Sequence, residues 1–324
     1  MKSIKQTSPG IENRSLIGRF KNFNEGGVLL ALVLLCLVIG IFNPVFFSGK
    51  NLIKVLRQFS AVGIIAVGGA FVIVTGGIDL SVGSFMAFGA VGTSMLISSG
   101  VEPVLALLIM LALSAIMGLL SGLAIVKLSL NPFIVTLSMM YVVSGITYLI
   151  SNGIPIKFNN YLNFLGGSWA NIPVSIFVML IIMVIGHILL SKTEYGRKVF
   201  AVGGNANAAK LSGIKVEKIK CSVYAMTALL GCLTGIISAA NLNSGDVSTG
   251  SGYELSVIAA CVIGGCSLSG GEGTILGVFF GAAVLGVIKN GFVLLKIPAS
   301  WQTITIGLVI ILACTLDQLK RRNK

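Results

Sequence analysis

The stretch VLLALVLLCLVIGIFNPVFF, residues 28–47, runs for twenty positions without a charged side chain. A helix needs about twenty apolar residues to cross the hydrocarbon core of a bilayer, so this run reads as a membrane span. The leader before it, with Lys2, Lys5, Arg14, Arg19 and Lys21, has the charge of a secretory signal. The run is long for a signal core, however, and no small-x-small cleavage pattern ends it, which predicts a retained span.

The rest of the chain extends that reading. Of 324 residues, 55% are hydrophobic and only 10% charged, whereas roughly a quarter of a soluble domain's residues carry charge. Unpaired backbone groups are too costly in lipid for open strands. The expected fold class is an all-α polytopic membrane protein with about ten transmembrane helices and some broken or re-entrant segments. The spans fall at 28–47, 57–75, 80–99, 103–126, 132–151, 172–190, 220–240, 254–268, 273–291 and 298–316, the eighth being short. This gives an N-terminal tail over 1–27, a single transmembrane domain over 28–316 with one large polar loop at 191–220, and a basic tail over 317–324.

An even number of spans puts both termini on one side. With the N-terminus inside, the interior segments hold 17 of the 23 lysines and arginines, seven of them in loop 191–220. That excess predicts cytoplasmic termini, although Lys50, Lys54 and Arg57 argue locally the other way. The net charge of +13 raises nucleic acid as a partner, but the basic residues sit at span ends rather than on one face. Membrane orientation accounts for them, and no nucleic-acid partner is expected. Cys36, Cys221, Cys232, Cys261, Cys266 and Cys314 lie in or beside apolar runs without metal-type spacing. They read as small buried hydrophobes, and no metal site is expected.

Small residues recur every fourth position at Gly118 and Gly122, at Gly231, Gly235 and Ala239, and at Gly273, Gly277 and Gly281. Such faces let helix backbones approach closely. The exterior stretch NGIPIKFNNYLNFLGGSWAN, 152–171, carries Phe158, Tyr161, Phe164 and Trp169, either as a headgroup-level anchor or as a docking surface. GGIDLS at 76–81 and GGCSLS at 264–269 share four of six residues at span boundaries on the predicted cytoplasmic side. Internal duplication and chance both explain them.

No catalytic constellation is visible. The one histidine, His187, has no acid or cysteine beside it, and no HExxH, CxxC or GxSxG pattern occurs. The Gly-Lys pair at Gly49 and Lys50 is followed by Asn51 and lacks Walker spacing, so no catalytic residue or bound cofactor is expected in this chain. All ten acids lie in tails, loops or span ends, which weakens a proton- or sodium-coupled mechanism. Asp79, in VTGGIDLSVGS, sits where Gly76 and Gly77 break a span. Asp79 or Ser81 either caps the next helix or lines a solute path through a broken helix, with Ser267 and Ser269 in the second copy of the repeat.

The polar loop SKTEYGRKVFAVGGNANAAKLSGIKVEKIK, 191–220, has an internal pattern of its own. Gly203 and Gly204 should stop a helix, Asn205 should cap a new one over 206–212, and Gly213 should end it. A two-turn helix is marginal in water and needs something to pack against. It is either a folded-back loop or a docking element for a cytoplasmic protein.

Four segments together resemble the inner-membrane permeases of ATP-binding cassette (ABC) importers for ribose, xylose, galactosides and autoinducer. They are VTGGIDLSVGS (74–84), TEYGRKVFAVGGNANAAKLSGIKVEKIK (193–220), TGSGYELSVIAACVIGGCSLSGGEGTILG (249–277) and KNG (289–291). The resemblance runs over nearly the whole chain and implies a bacterial inner-membrane, multi-pass permease subunit. It implies a second permease copy, identical or related, a cytoplasmic ATPase that binds ATP and Mg2+, and an external sugar-binding protein. The ATPase would grip Asn205 to Gly213, including Ala208 and Ala209, with Glu194, Gly196, Arg197, Gly203 and Gly204 beside them. Ser256 departs from the family's usual residue after Glu-Leu, which leaves the path lining open. A stand-alone ion-coupled sugar carrier is the competing function, and a scaffold without transport is a third.

Overall fold

The computed structural model describes residues 25–159 and 162–322. The basic leader, Tyr161 and Lys324 lie outside the described residues, as do the side chains of Cys314, Asp317, Lys320, Arg321 and Arg322. The described helices are α1 (Gly26–Phe42), α2 (Gly49–Val74), α3 (Val82–Ser98), α4 (Pro103–Lys127), α5 (Pro132–Ser151), the single turn α6 (Asn163–Gly166), α7 (Val174–Lys192), α8 (Glu194–Gly204), α9 (Ala206–Leu211), α10 (Val216–Leu242), α11 (Tyr253–Ile263), α12 (Ile275–Leu294) and α13 (Ala299–Arg322). Each of the ten expected apolar runs holds a helix. Six of these, α2, α4, α5, α7, α10 and α12, are long and apolar enough to cross a membrane, while α1, α3, α11 and Ser300–Leu312 of α13 are shorter apolar helices.

The run that opens the chain is not one helix. It stops at Phe42, and Asn43, in extended conformation, accepts from the Val45 N–H to start a 3-10 turn over Pro44–Phe47. Proline has no N–H to continue a helical ladder. Ser48 then caps α2 by accepting from Asn51, so α2 begins eight residues before 57, the expected start. Lys50, Lys54 and Arg57 therefore occupy its first turns.

The all-α expectation needs a second correction. β1 (Ile156–Lys157) pairs antiparallel with β4 (Ser244–Gly245), and β2 (Ser168–Trp169) with β3 (Ile172–Pro173). Backbone groups leaving a helix end still need partners. Ala170 and Asn171 both take positive φ, the two-residue turn that suits a tight hairpin. Phe158, read as part of a headgroup-level anchor or of a docking surface, is buried, whereas Trp169 is exposed and lies 5.6 Å from the Phe177 ring.

The core is the second half of α2, the whole first part of α3, and the faces of α10, α11 and α12 that meet them. Ile64 to Val74 and Val82 to Ser94 are buried without interruption. α4, α5 and α7 turn large side chains such as Leu108, Ile116, Leu149 and Ile181 outward, as a lipid-facing layer requires. The four-residue spacing of small residues marks real close approaches. A Cβ on Gly122 would lie 2.5 Å from the Cys221 Cα, on Gly235 1.9 Å from the Met86 carbonyl, and on Gly281 2.0 Å from the Ala260 carbonyl. Four of the described cysteines are buried and Cys36 is half-buried.

Candidate coupling site

Thr193 opens the polar loop by accepting from the Gly196 N–H at 3.2 Å, which caps α8. Gly196 is a close approach, since a Cβ there would meet the Leu190 carbonyl at 2.0 Å. Tyr195, Val199 and Val202 fall on one face by helical period, and that face points inward. Tyr195 lies with its hydroxyl 2.7 Å from the Ser222 oxygen on α10, and its ring stacks obliquely near Phe71. On the outer face Glu194 pairs with Lys198 at 2.8 Å. The hydrogen bond and charge of Lys198, with Arg197 adding to them, hold the Glu194 carboxyl below its ordinary range. Arg197 is exposed.

Gly203 and Gly204 do not stop the helix. α8 runs through both, and Asn205 ends it with φ −158° and ψ 103°. The reason lies across the contact: a Cβ on Gly203 would sit 1.7 Å from the Val74 carbonyl oxygen and 2.6 Å from the Gly271 nitrogen. Glycine is required here for proximity, not for a turn. Gly204 has no such neighbour.

Asn205 also starts α9, its side-chain oxygen accepting from the Ala208 N–H at 3.0 Å. Gly213, at φ +82°, closes α9: its N–H donates to the Lys210 carbonyl and that of Ile214 to the Ala209 carbonyl, both at 3.0 Å. This paired bonding is the Schellman ending. Ala209 is buried against the protein, whereas Ala208 faces outward and Leu211 is 90% exposed. Single apolar side chains on a protein surface are common, and the helix pattern alone did not single this one out.

Behind Gly203 two further segments converge. After α2, Gly76 (φ +76°) and Gly77 donate to Ile73 and Val72; after α11, Gly265 (φ +87°) and Cys266 donate to Val262 and Cys261. Both are Schellman endings, so Gly76 matches Gly265 in structure, one residue off the GGIDLS and GGCSLS alignment. The Gly271 N–H donates to the Val74 carbonyl at 2.9 Å, and a Cβ on Gly270 would meet the Gly203 carbonyl at 2.8 Å. Gly270 and Gly271 lie inside a quoted motif, but nothing in their sequence marks them as contacts of Gly203.

Asp79 and Ser81 are buried in the break between α2 and α3, where Asp79 accepts from the Ser81 N–H at 2.9 Å and from its hydroxyl. Asp79 thus ties the turn into α3, while Ser81, the N-cap residue, makes no side-chain cap bond. In the second segment Ser267 is buried and Ser269 exposed. The two segments approach each other, a Cβ on Gly76 falling 3.8 Å from the Ser269 carbonyl.

Apolar helices of membrane-crossing length, with a short capped helix seated on their ends, define a helical multi-pass membrane protein. Residues 51–314 match the family described as branched-chain amino acid transport system / permease component, and the chain belongs to that family. It is a permease component rather than an enzyme. It is 41% identical over 298 residues to the ribose import permease protein RbsC of Bacillus subtilis (strain 168), covering 91% of this chain and 92% of that one. It is 35% identical over 309 residues to the L-arabinose ABC transporter permease protein AraH of Azospirillum brasilense, covering 95% and 91%. To the galactose/methyl galactoside import permease protein MglC of Escherichia coli (strain K12) it is 36% identical over 321 residues, covering 93% and 96%. No solved structure matches.

Proposed function

We propose that this chain is the permease subunit of an ABC importer that carries a monosaccharide, a pentose, hexose or related polyol, across the bacterial cytoplasmic membrane. Relatives named for ribose, arabinose and galactose import support that substrate class over an ion-coupled carrier. Ten spans with both termini in the cytoplasm accompany the proposal. Loops that alternate to the same side under that topology touch one another, as Gly203 does with Val74 and Gly271, and Ile156 with Gly245.

The partners are a cytoplasmic ATPase holding ATP and Mg2+, an external sugar-binding protein and a second permease copy. The ATPase grips α9 through Ala208, Leu211 and the Asn205 and Gly213 ends, with Glu194 and Arg197 flanking. The observation that carries the reading is the seat of Gly203 on the end of α2 and on the Gly270–Gly271 bend that precedes α12. A displacement of α9 passes through that backbone contact to the segments bearing Asp79, Ser81, Ser267 and Ser269, which border the inner end of the path. Leu211→Asp should abolish co-purification of the ATPase and sugar uptake while leaving the permease folded in the membrane. Normal uptake by that variant would sink the coupling assignment.

A further inference from the structure

Two adjoining cavities, of about 280 and 550 Å3, open between residues 57–64 of α2, the start of α7, the end of α10, the start of α11, the middle of α12 and the first half of α13, and share Gln58, Tyr253 and Lys289 as a common wall. Pockets for small ligands span about 300–1,000 Å3, so together they have room for a small solute. Their position follows from the helices: Gln58 lies nine residues along α2 from Gly49, roughly 13 Å from its start. That end lies opposite the coupling loop, which contacts the other end of α2 at Val74.

The smaller cavity is polar for a chain this apolar. Ser60 and Ser175 bridge it at 3.1 Å, and Arg57 crosses it to donate to the Asn241 amide oxygen at 2.9 Å. The hydroxyls of Thr234 and Ser238 donate to backbone carbonyls of their own helix, which leaves their lone pairs to accept. Among the described residues, no carboxylate lines either cavity. The Gln58 Oε1 atom is buried and has no hydrogen-bond partner. A buried acceptor without a donor costs free energy unless something supplies one.

We infer that these cavities are the outward-facing entry chamber of the path and that Gln58 receives a hydroxyl of a small uncharged polyol. A polyol hydroxyl both donates and accepts, so it satisfies Gln58 while taking donors from Lys289 and the Arg57 guanidinium. A cation would find no counter-charge there. The few fixed groups suit a solute that must leave again. This assignment rests on the importer reading.

The test uses the importer assembled with its ATPase and binding protein in proteoliposomes, with Ala61→Cys, at a lining position of the smaller cavity that offers the solute no polar group, in the permease. Before modification the variant should transport normally, so later effects cannot be failures of folding. A membrane-impermeant thiol reagent added from outside should label Cys at that position and stop uptake. D-ribose should slow the labelling and inorganic phosphate should not, and adding Gln58→Leu should weaken the ribose protection about fivefold, the worth of one hydrogen bond. Absence of labelling, uptake unaffected by labelling, or protection by phosphate instead of ribose would overturn the chamber assignment alone. An unmodified wild-type importer that fails to couple sugar uptake to ATP would overturn it together with the function.

Discussion

Gly203 and Val74 meet backbone to backbone: a Cβ on Gly203 would fall 1.7 Å from the Val74 carbonyl oxygen. No rotamer change can relieve such an overlap, because the neighbour is main chain. Gly203→Ala should therefore lift α8 off the end of α2, at a cost of about 1–3 kcal/mol as for other overpacked sites, and depress uptake strongly. Gly204→Ala, beside it but with nothing within 4 Å, should be tolerated and gain up to about 1 kcal/mol of helix preference. Uptake and thermal melting of the two variants side by side check the difference; equal behaviour would contradict the seat.

Asn205 ends one helix and caps the next. Asn205→Ala should cost about 1 kcal/mol of cap stability and Asn205→Asp little. Amide hydrogen exchange across Ala206–Leu211 should quicken in the first variant and stay near wild type in the second.

Asn51 and Asn290 exchange amide hydrogen bonds, each 3.0 Å long, between the start of α2 and the end of α12, and both are buried. Removing one partner strands the other, so Asn290→Leu should destabilise the protein by about 1–3 kcal/mol. The double replacement Asn51→Leu with Asn290→Leu should recover part of that loss. A double-mutant cycle on thermal unfolding in detergent measures the coupling; strict additivity would refute it.

The Glu194–Lys198 pair is solvent-exposed, and exposed pairs contribute little. Because Lys198 lowers the Glu194 pKa, whatever the pair contributes is present above the ordinary carboxylate range and is lost only as pH falls through the lowered value. Glu194→Gln should leave melting at neutral pH unchanged. A drop in ATPase co-purification without a drop in melting would then report contact with the partner.

The sequence displayed the membrane body openly, since charge and hydropathy change wherever solvent changes. Gly118, Gly122, Gly235 and Gly281 announced close helix contacts for the same reason: four-residue spacing is local information. Gly203 was misread because its need for a missing Cβ comes from Val74 and Gly271, far away in sequence. Leu211 escaped notice because outward orientation depends on how Ala209 is seated. GGIDLS and GGCSLS align as letters, whereas the helix endings at Gly76 and Gly265 fall one position out of that alignment, since the backbone follows the helix ends.

The helix α11 spans only 11 residues, about 16 Å at 1.5 Å per residue against a hydrocarbon core of about 30 Å. The chain continues as a bent segment from Gly264 to Thr274, pinned to the end of α2 by Gly271. A half-height helix resting on a knuckle is also a gauge. Under the proposed coupling, thermodynamic linkage makes any pull from the ATP side answerable from the sugar side, so solute arriving above that knuckle would alter how tightly the motor below holds its nucleotide.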